Sequence, residues 1–137
     1  MKKIIWLGLR LVMGLIFLWA FIDKLFGLGF ATKSANSWIN GGSPTSGYLV
    51  NATHGPLAEI FKSLSGIAVV DWLFMVGLLG VSLTLLFNKY ITLGATAGSI
   101  MMILMWLSAF PPANNPILDE HIVYILVLAI LALKSKE

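Results

Sequence analysis

The sequence predicts an all-α integral membrane protein, an antiparallel four-helix transmembrane bundle with one long outer loop, with residues 1–137 forming a single membrane domain. Three observations carry that expectation. The chain is 58% hydrophobic and only 11% charged, with a mean hydropathy of +0.91, far outside the usual composition of a soluble domain. Apolar runs of membrane-crossing length recur along it, separated by polar turns. The few charges gather at the rims of those runs rather than within them.

A water-soluble domain of this size leaves much of its surface facing solvent, so the surplus Leu, Ile, Met, Phe and Trp must face something other than water. A lipid bilayer is therefore the first partner expected. The net charge of +3 and pI near 9.3 do not point to nucleic acid, because the basic residues stand singly or in the one pair Lys2-Lys3, with no basic helix face. Cysteine is absent, which excludes disulfides, thiolate metal sites and nucleophilic cysteine. A redox role would need a cofactor, a lipid-soluble carrier or a partner.

The first helix is expected over 4–24. Met1-Lys2-Lys3 ahead of an apolar run imitates a secretory signal, but no small-residue cleavage site follows, so it reads as a retained span. Arg10 is its only internal charge, and Asp23 and Lys24 mark its far end. Residues 31–65 shift to Gly, Ser, Thr, Asn and Pro, forming the outer loop, with 41–47 as a turn. Within the loop, Leu57, Ile60, Phe61 and Leu64 recur at helical spacing after Pro56, as in a short amphipathic helix on the membrane surface.

A second span is expected over 66–87, with Asp71 near its start, and a tight turn at Asn88-Lys89. The third, 90–110, is uncharged and ends at Pro111-Pro112, which cannot continue a helix. Its Gly94 and Gly98 form a GxxxG pattern suited to close helix packing, within the bundle in preference to a dimer contact. Asn115 as N-cap and Pro116 as first helical residue place the fourth helix at 116–133. Short connections favour antiparallel neighbours.

The basic residues orient the bundle. Lys2, Lys3, Lys89, Lys134 and Lys136 fall on one side, which the positive-inside rule makes cytoplasmic together with both termini. Five of the six acids, and both histidines, then fall on the outer side.

Candidate chemistry follows that division. On helix one, Arg10, Gly14, Phe17, Phe21 and Lys24 share a narrow arc. Arg10 has two open roles: snorkelling or bonding to helix-end carbonyls, and holding an anion or a polar headgroup. On helix four, Glu120, His121 and Tyr124 share about 100° of arc while Asp119 points elsewhere. Such a carboxylate, imidazole and phenol suit proton relay to a carrier at headgroup depth; the alternative is that the acids complement the helix dipole and Tyr124 is an interface aromatic. Glu120, His121, Asp119 and Tyr124 are thus the catalytic candidates, and Arg10, Asp23, Lys24, Trp38 and His54 the ligand-binding candidates. No HxxH, HxxxH or HExxH spacing appears, so no metal is expected. Trp38, Trp72 and Trp106 fit an outer aromatic belt and Trp6 an inner one.

Three stretches, RLVMGLIFLWAFIDKLFGLGFAT at 10–32, GGSPTSGYL at 41–49 and NPILDEHIVYILVL at 115–128, resemble the DoxX family, related to the DoxD membrane subunit of an archaeal thiosulfate:quinone oxidoreductase. The resemblance implies a four-helix protein of a bacterial or archaeal cell membrane, working with quinone in the oxidation of small sulfur compounds or in membrane redox homeostasis. It also implies a second oxidoreductase subunit as partner, with a homo-oligomer as the alternative. The polar positions it matches are Arg10, Asp23, Lys24, Asp119, Glu120, His121 and Tyr124. Two other functions compete: a non-enzymatic scaffold or assembly subunit using the GxxxG face and the outer loop, and a small transporter or lipid-binding protein using Arg10 and Lys24.

Overall fold

Apolar runs free of internal proline become the long helices of this chain. The structure, a computed structural model, describes residues 1–136. These form α1 (Lys2–Phe26), α2 (Ser46–Asn51), α3 (Ala58–Lys62), α4 (Ala68–Phe87), α5 (Ile91–Ser108) and α6 (Glu120–Lys134), with 3-10 turns at Ser34–Asn36 and Trp38–Asn40. No strand occurs among the described residues. α1, α4 and α5, with 25, 20 and 18 residues, are each long and apolar enough to cross a membrane.

Their outward faces are apolar as well. Ile4, Val12 and Leu15 of α1, Val69, Leu73 and Val76 of α4, and Leu93 and Ile100 of α5 are all exposed. Side chains of this kind favour removal from water by roughly 1.5–3 kcal/mol each, so a continuous apolar exterior marks contact with lipid. The inward faces meet in one cluster: Met13 and Phe17 from α1, Met75, Leu78, Val81 and Leu85 from α4, Ala95 and Met102 from α5, Leu128 and Leu131 from α6.

α1 packs along α4, α4 against α5 and α5 along α6, while α1 meets α6 only briefly. The glycines set the spacing. A Cβ on Gly94 would lie 1.7 Å from Thr84 Oγ1, and one on Gly98 would lie 2.9 Å from Leu128 Cδ1 and 3.2 Å from Val81 Cγ1. Both glycines of the GxxxG pattern are therefore spent on contacts inside the chain. Gly77 meets Met101, Val81 meets Gly98 and Thr84 meets Gly94, so positions rise along α4 as they fall along α5.

Local chemistry explains where the helices stop. Gly27, at φ 66°, takes the left-handed conformation after α1, and its N–H donates to Asp23 O at 2.7 Å. Asn88 (φ 57°) and Tyr90 (φ 54°) do the same on either side of Lys89, which turns the chain between α4 and α5 in three residues.

The fourth helix differs from the expectation. It begins at Glu120, with Asp119 as N-cap, not at Asn115-Pro116. Asn115 Oδ1 accepts from the N–H groups of Ile117 (2.9 Å) and Leu118 (2.8 Å), so its capping chemistry closes a local turn that does not propagate. At 15 residues α6 is about 22 Å long, short of a hydrocarbon core of about 30 Å.

Candidate functional site

The polar chemistry lies at the end of the helices reached by residues 27–67, here the loop end; the opposite end, around 88–90, is the turn end. Two carboxylates build the loop end. Asp23, 2% exposed, accepts from the N–H groups of Phe30 (3.3 Å), Ala31 (2.8 Å) and Thr32 (3.0 Å). It folds the chain back over the end of α1, so its oxygens serve the backbone rather than a ligand. Asp71, in the first turn of α4, accepts from Ser43 Oγ at 2.8 Å, Thr45 Oγ1 at 2.6 Å and Thr45 N at 3.3 Å. This ties the Gly-Ser-Pro-Thr turn to α4, and the sequence reading assigned Asp71 no such role.

The loop so pinned roofs a pocket of about 530 Å³ between α4 and α5. Phe61 and Leu64 from the α3 region, Phe74 and Gly77 from α4, and Met101 and Met105 from α5 give it apolar walls. Hence α3 turns Phe61 toward the pocket while Ile60 stays 62% exposed. Lys24 is the one charged residue among the described lining, and Thr45, Tyr48 and Ser108 add hydroxyls. The Lys24 ammonium stands 5.8 Å from the centre of the Phe74 ring, a cation–π distance.

Tyr48 and Ser108 form a small network. The Ser108 hydroxyl donates to Met105 O at 2.7 Å, and Tyr48 Oη lies 2.9 Å from Ser108 Oγ and 3.2 Å from Met105 O. With the Ser108 hydrogen committed, the phenol donates and keeps its own lone pairs for a further donor. Burial pushes the Tyr48 phenol above its usual range; the Ser108 bond draws it back, and the carboxylates of Asp119 and Glu120 raise it further. It is a neutral hydrogen-bonding group at physiological pH.

The start of α6 corrects a second expectation. Asp119 does not point away from His121: as N-cap it accepts the His121 N–H on Oδ1 at 2.9 Å, and its Oδ2 lies 2.8 Å from His121 Nδ1. A residue in extended conformation ahead of the helix (φ −146°) does not follow the 100° wheel. Glu120 is exposed and Tyr124 half-buried, the latter packed against the central cluster. Ligand atoms of Asp119, Glu120 and His121 come within 4.8 Å of one another, with Asp119 and His121 bonded to each other, and none of the four catalytic candidates lines the pocket.

The remaining candidates separate. Trp38 packs edge-on against Trp72, ring centres 4.6 Å apart. His54 is exposed, and its backbone N–H donates to Ser108 O at 3.1 Å. Arg10 lies at the turn end, where Nη1 donates to Leu85 O and, at 3.2 Å, to Leu86 O. Those carbonyls belong to the last turn of α4 and lack intrahelical partners, so the guanidinium completes the helix end and complements its dipole. The structure thus keeps Lys24 of the expected set at the pocket and adds Tyr48, Ser108 and Phe74. Tyr48 stood in the sequence as an aromatic inside a polar turn and Ser108 as a hydroxyl closing an apolar span; only the fold joins them.

No model of a known protein family, no curated protein and no solved structure matches this chain.

Proposed function

We propose that this chain is a DoxX-like membrane subunit whose loop-end pocket takes the ring of a quinone-type carrier during oxidation of small sulfur compounds or in membrane redox homeostasis. The observation that carries the reading is the pocket itself: apolar walls of a size for a ring and the start of a tail, with a lone ammonium and a phenol among its lining. Such a mixture fits a flat apolar ligand bearing carbonyl oxygens. A quinone supplies two-electron, two-proton acceptor chemistry when bound. Lys24 donates to a carbonyl oxygen, Tyr48 offers lone pairs to a hydroxyl, and the Phe and Met walls exclude water. The Asp119–His121 pair, beside the Tyr48 phenol electrostatically, is the proton exchanger toward the aqueous side.

In the same reading α6 completes an antiparallel four-helix transmembrane bundle in a cell membrane, both termini cytoplasmic. The opposed run of contacts between α4 and α5, and the basic residues of the turn end, support it.

The test is binding of a short-chain quinone to protein in lipid nanodiscs. Lys24→Met removes a charge-assisted hydrogen bond worth roughly 1.5–3 kcal/mol, so affinity falls about tenfold or more, while His121→Ala leaves binding intact and slows turnover with a partner. Equal affinity of wild type and Lys24→Met sinks the proposal.

A further inference from the structure

A cavity larger than the loop-end pocket lies at the other end, and the quinone reading makes no use of it. Because α1 and α6 barely meet, a cleft of about 970 Å³ opens between the first turns of α1, the start of α5 and the end of α6. Trp6, Arg10, Tyr90, Thr92, Thr96 and Lys134 are among its walls, and no carboxylate is among its described lining. Lys2, Lys3, Lys89 and Lys136 extend the same sign of charge around it, whereas all the carboxylates among the described residues stand at the loop end.

Arg10 is organised for a further contact. Its Nη1 is fixed by the Leu85 and Leu86 carbonyls, which carry no net charge and so anchor the guanidinium without neutralising it. A guanidinium has five N–H donors in a rigid fork, more than two carbonyls require. The rim of the cleft is apolar and open sideways: Leu7 is 46% and Leu93 68% exposed, on helix faces that lie against lipid. Tyr90, 79% exposed, and Trp6 are aromatics of the kind that settle at headgroup level.

We propose that this turn-end cleft binds the phosphate headgroup of an anionic membrane phospholipid, with Arg10 as the fixed phosphate donor and an acyl chain along Leu7 and Leu93. A cationic cleft with lipid-facing apolar walls selects an amphiphile over a soluble anion, since only an amphiphile satisfies both surfaces. Each nearby cation adds roughly fivefold to the affinity for an anionic surface.

The experiment uses the full chain reconstituted in phosphatidylcholine vesicles holding a minor fraction of brominated lipid, either phosphatidylglycerol or phosphatidylcholine. The Trp6 signal is isolated by difference against Trp6→Phe. Brominated phosphatidylglycerol quenches Trp6 more strongly than brominated phosphatidylcholine, and this preference falls about fivefold in Arg10→Gln and in Lys134→Gln. Equal quenching by the two lipids overturns the assignment. So does loss of the preference when inorganic phosphate is added to wild type at constant ionic strength, which identifies a soluble anion as occupant. Should Arg10→Gln lose its helical circular dichroism, Lys134→Gln carries the test, and an unchanged preference in that variant overturns the proposal.

Discussion

The loop end and the turn end meet the same difficulty with opposite charges. Backbone groups that leave a helix at a lipid boundary have little water to satisfy them. At the loop end carboxylates take backbone N–H groups: Asp23 those of the loop residues Phe30, Ala31 and Thr32, Asp71 that of Thr45, and Asp119 that of His121 in the first turn of α6. At the turn end the orphans are the carbonyls of Leu85 and Leu86, and Arg10 takes them. The charge asymmetry that signals membrane orientation is thus also a division of structural labour. Titratable groups crowd the loop end, but three of its carboxylates are committed to the backbone, and the lone ammonium in the pocket matters more than their number.

The comparison breaks most sharply at Asp23. Replacing it with Ala leaves three N–H groups under the loop without their acceptor, at roughly 1–3 kcal/mol for each group left unsatisfied. Asp23→Ala should therefore unfold at the lowest temperature of any variant considered, followed in detergent by the loss of helical circular dichroism. Asp23→Asn, which keeps an acceptor oxygen, should recover part of the loss. A variant as stable as wild type would show that the return of the chain over α1 is held by something other than this carboxylate.

A smaller effect is expected nearer the turn end, where close packing stands in for polar staples. Gly94→Ala places a methyl 1.7 Å from Thr84 Oγ1 and 2.7 Å from Thr84 Cβ, so α4 and α5 must part. Overpacking of this kind costs roughly 1–3 kcal/mol. The double variant Gly94→Ala, Thr84→Ala should regain most of it, because the clash is with that side chain. Failure of the second substitution to help would place the strain elsewhere.

Much of the scaffold is legible in the sequence because it follows from periodicity and composition. The three long spans, the Pro111-Pro112 stop, the arc of Gly14 and Phe17, and the use of Gly94 and Gly98 within the chain all come from local pattern. The carbonyl-bonding role of Arg10 is one of the two that its place in the sequence allows, and it is present. What local pattern does not carry is partnership across the chain. Asn115-Pro116 has the chemistry of a helix start, yet Asp119 caps α6, since a competing turn captured Asn115. Tyr48 and Ser108 are 60 positions apart and meet only once Asp71 has tied the loop to α4, so the pocket is a product of tertiary contact.

That contact gives the finest distinction between the ends. Tyr48 at the loop end is raised above the usual phenol range chiefly by burial, while Tyr90 at the turn end is 79% exposed. A phenol raised in the folded state holds its proton above the value, near 10, at which the unfolded chain releases it. Its contribution to stability is therefore complete below about pH 10 and lost as pH climbs through the folded value. Wild type should lose thermal stability over that alkaline window more steeply than Tyr48→Phe, which has no proton to release there. In a near-ultraviolet titration, Tyr48→Phe should remove a late-ionising component. If no late component is lost, the Tyr48 phenol ionises freely, and the loop does not close over it as the Ser108 bond requires.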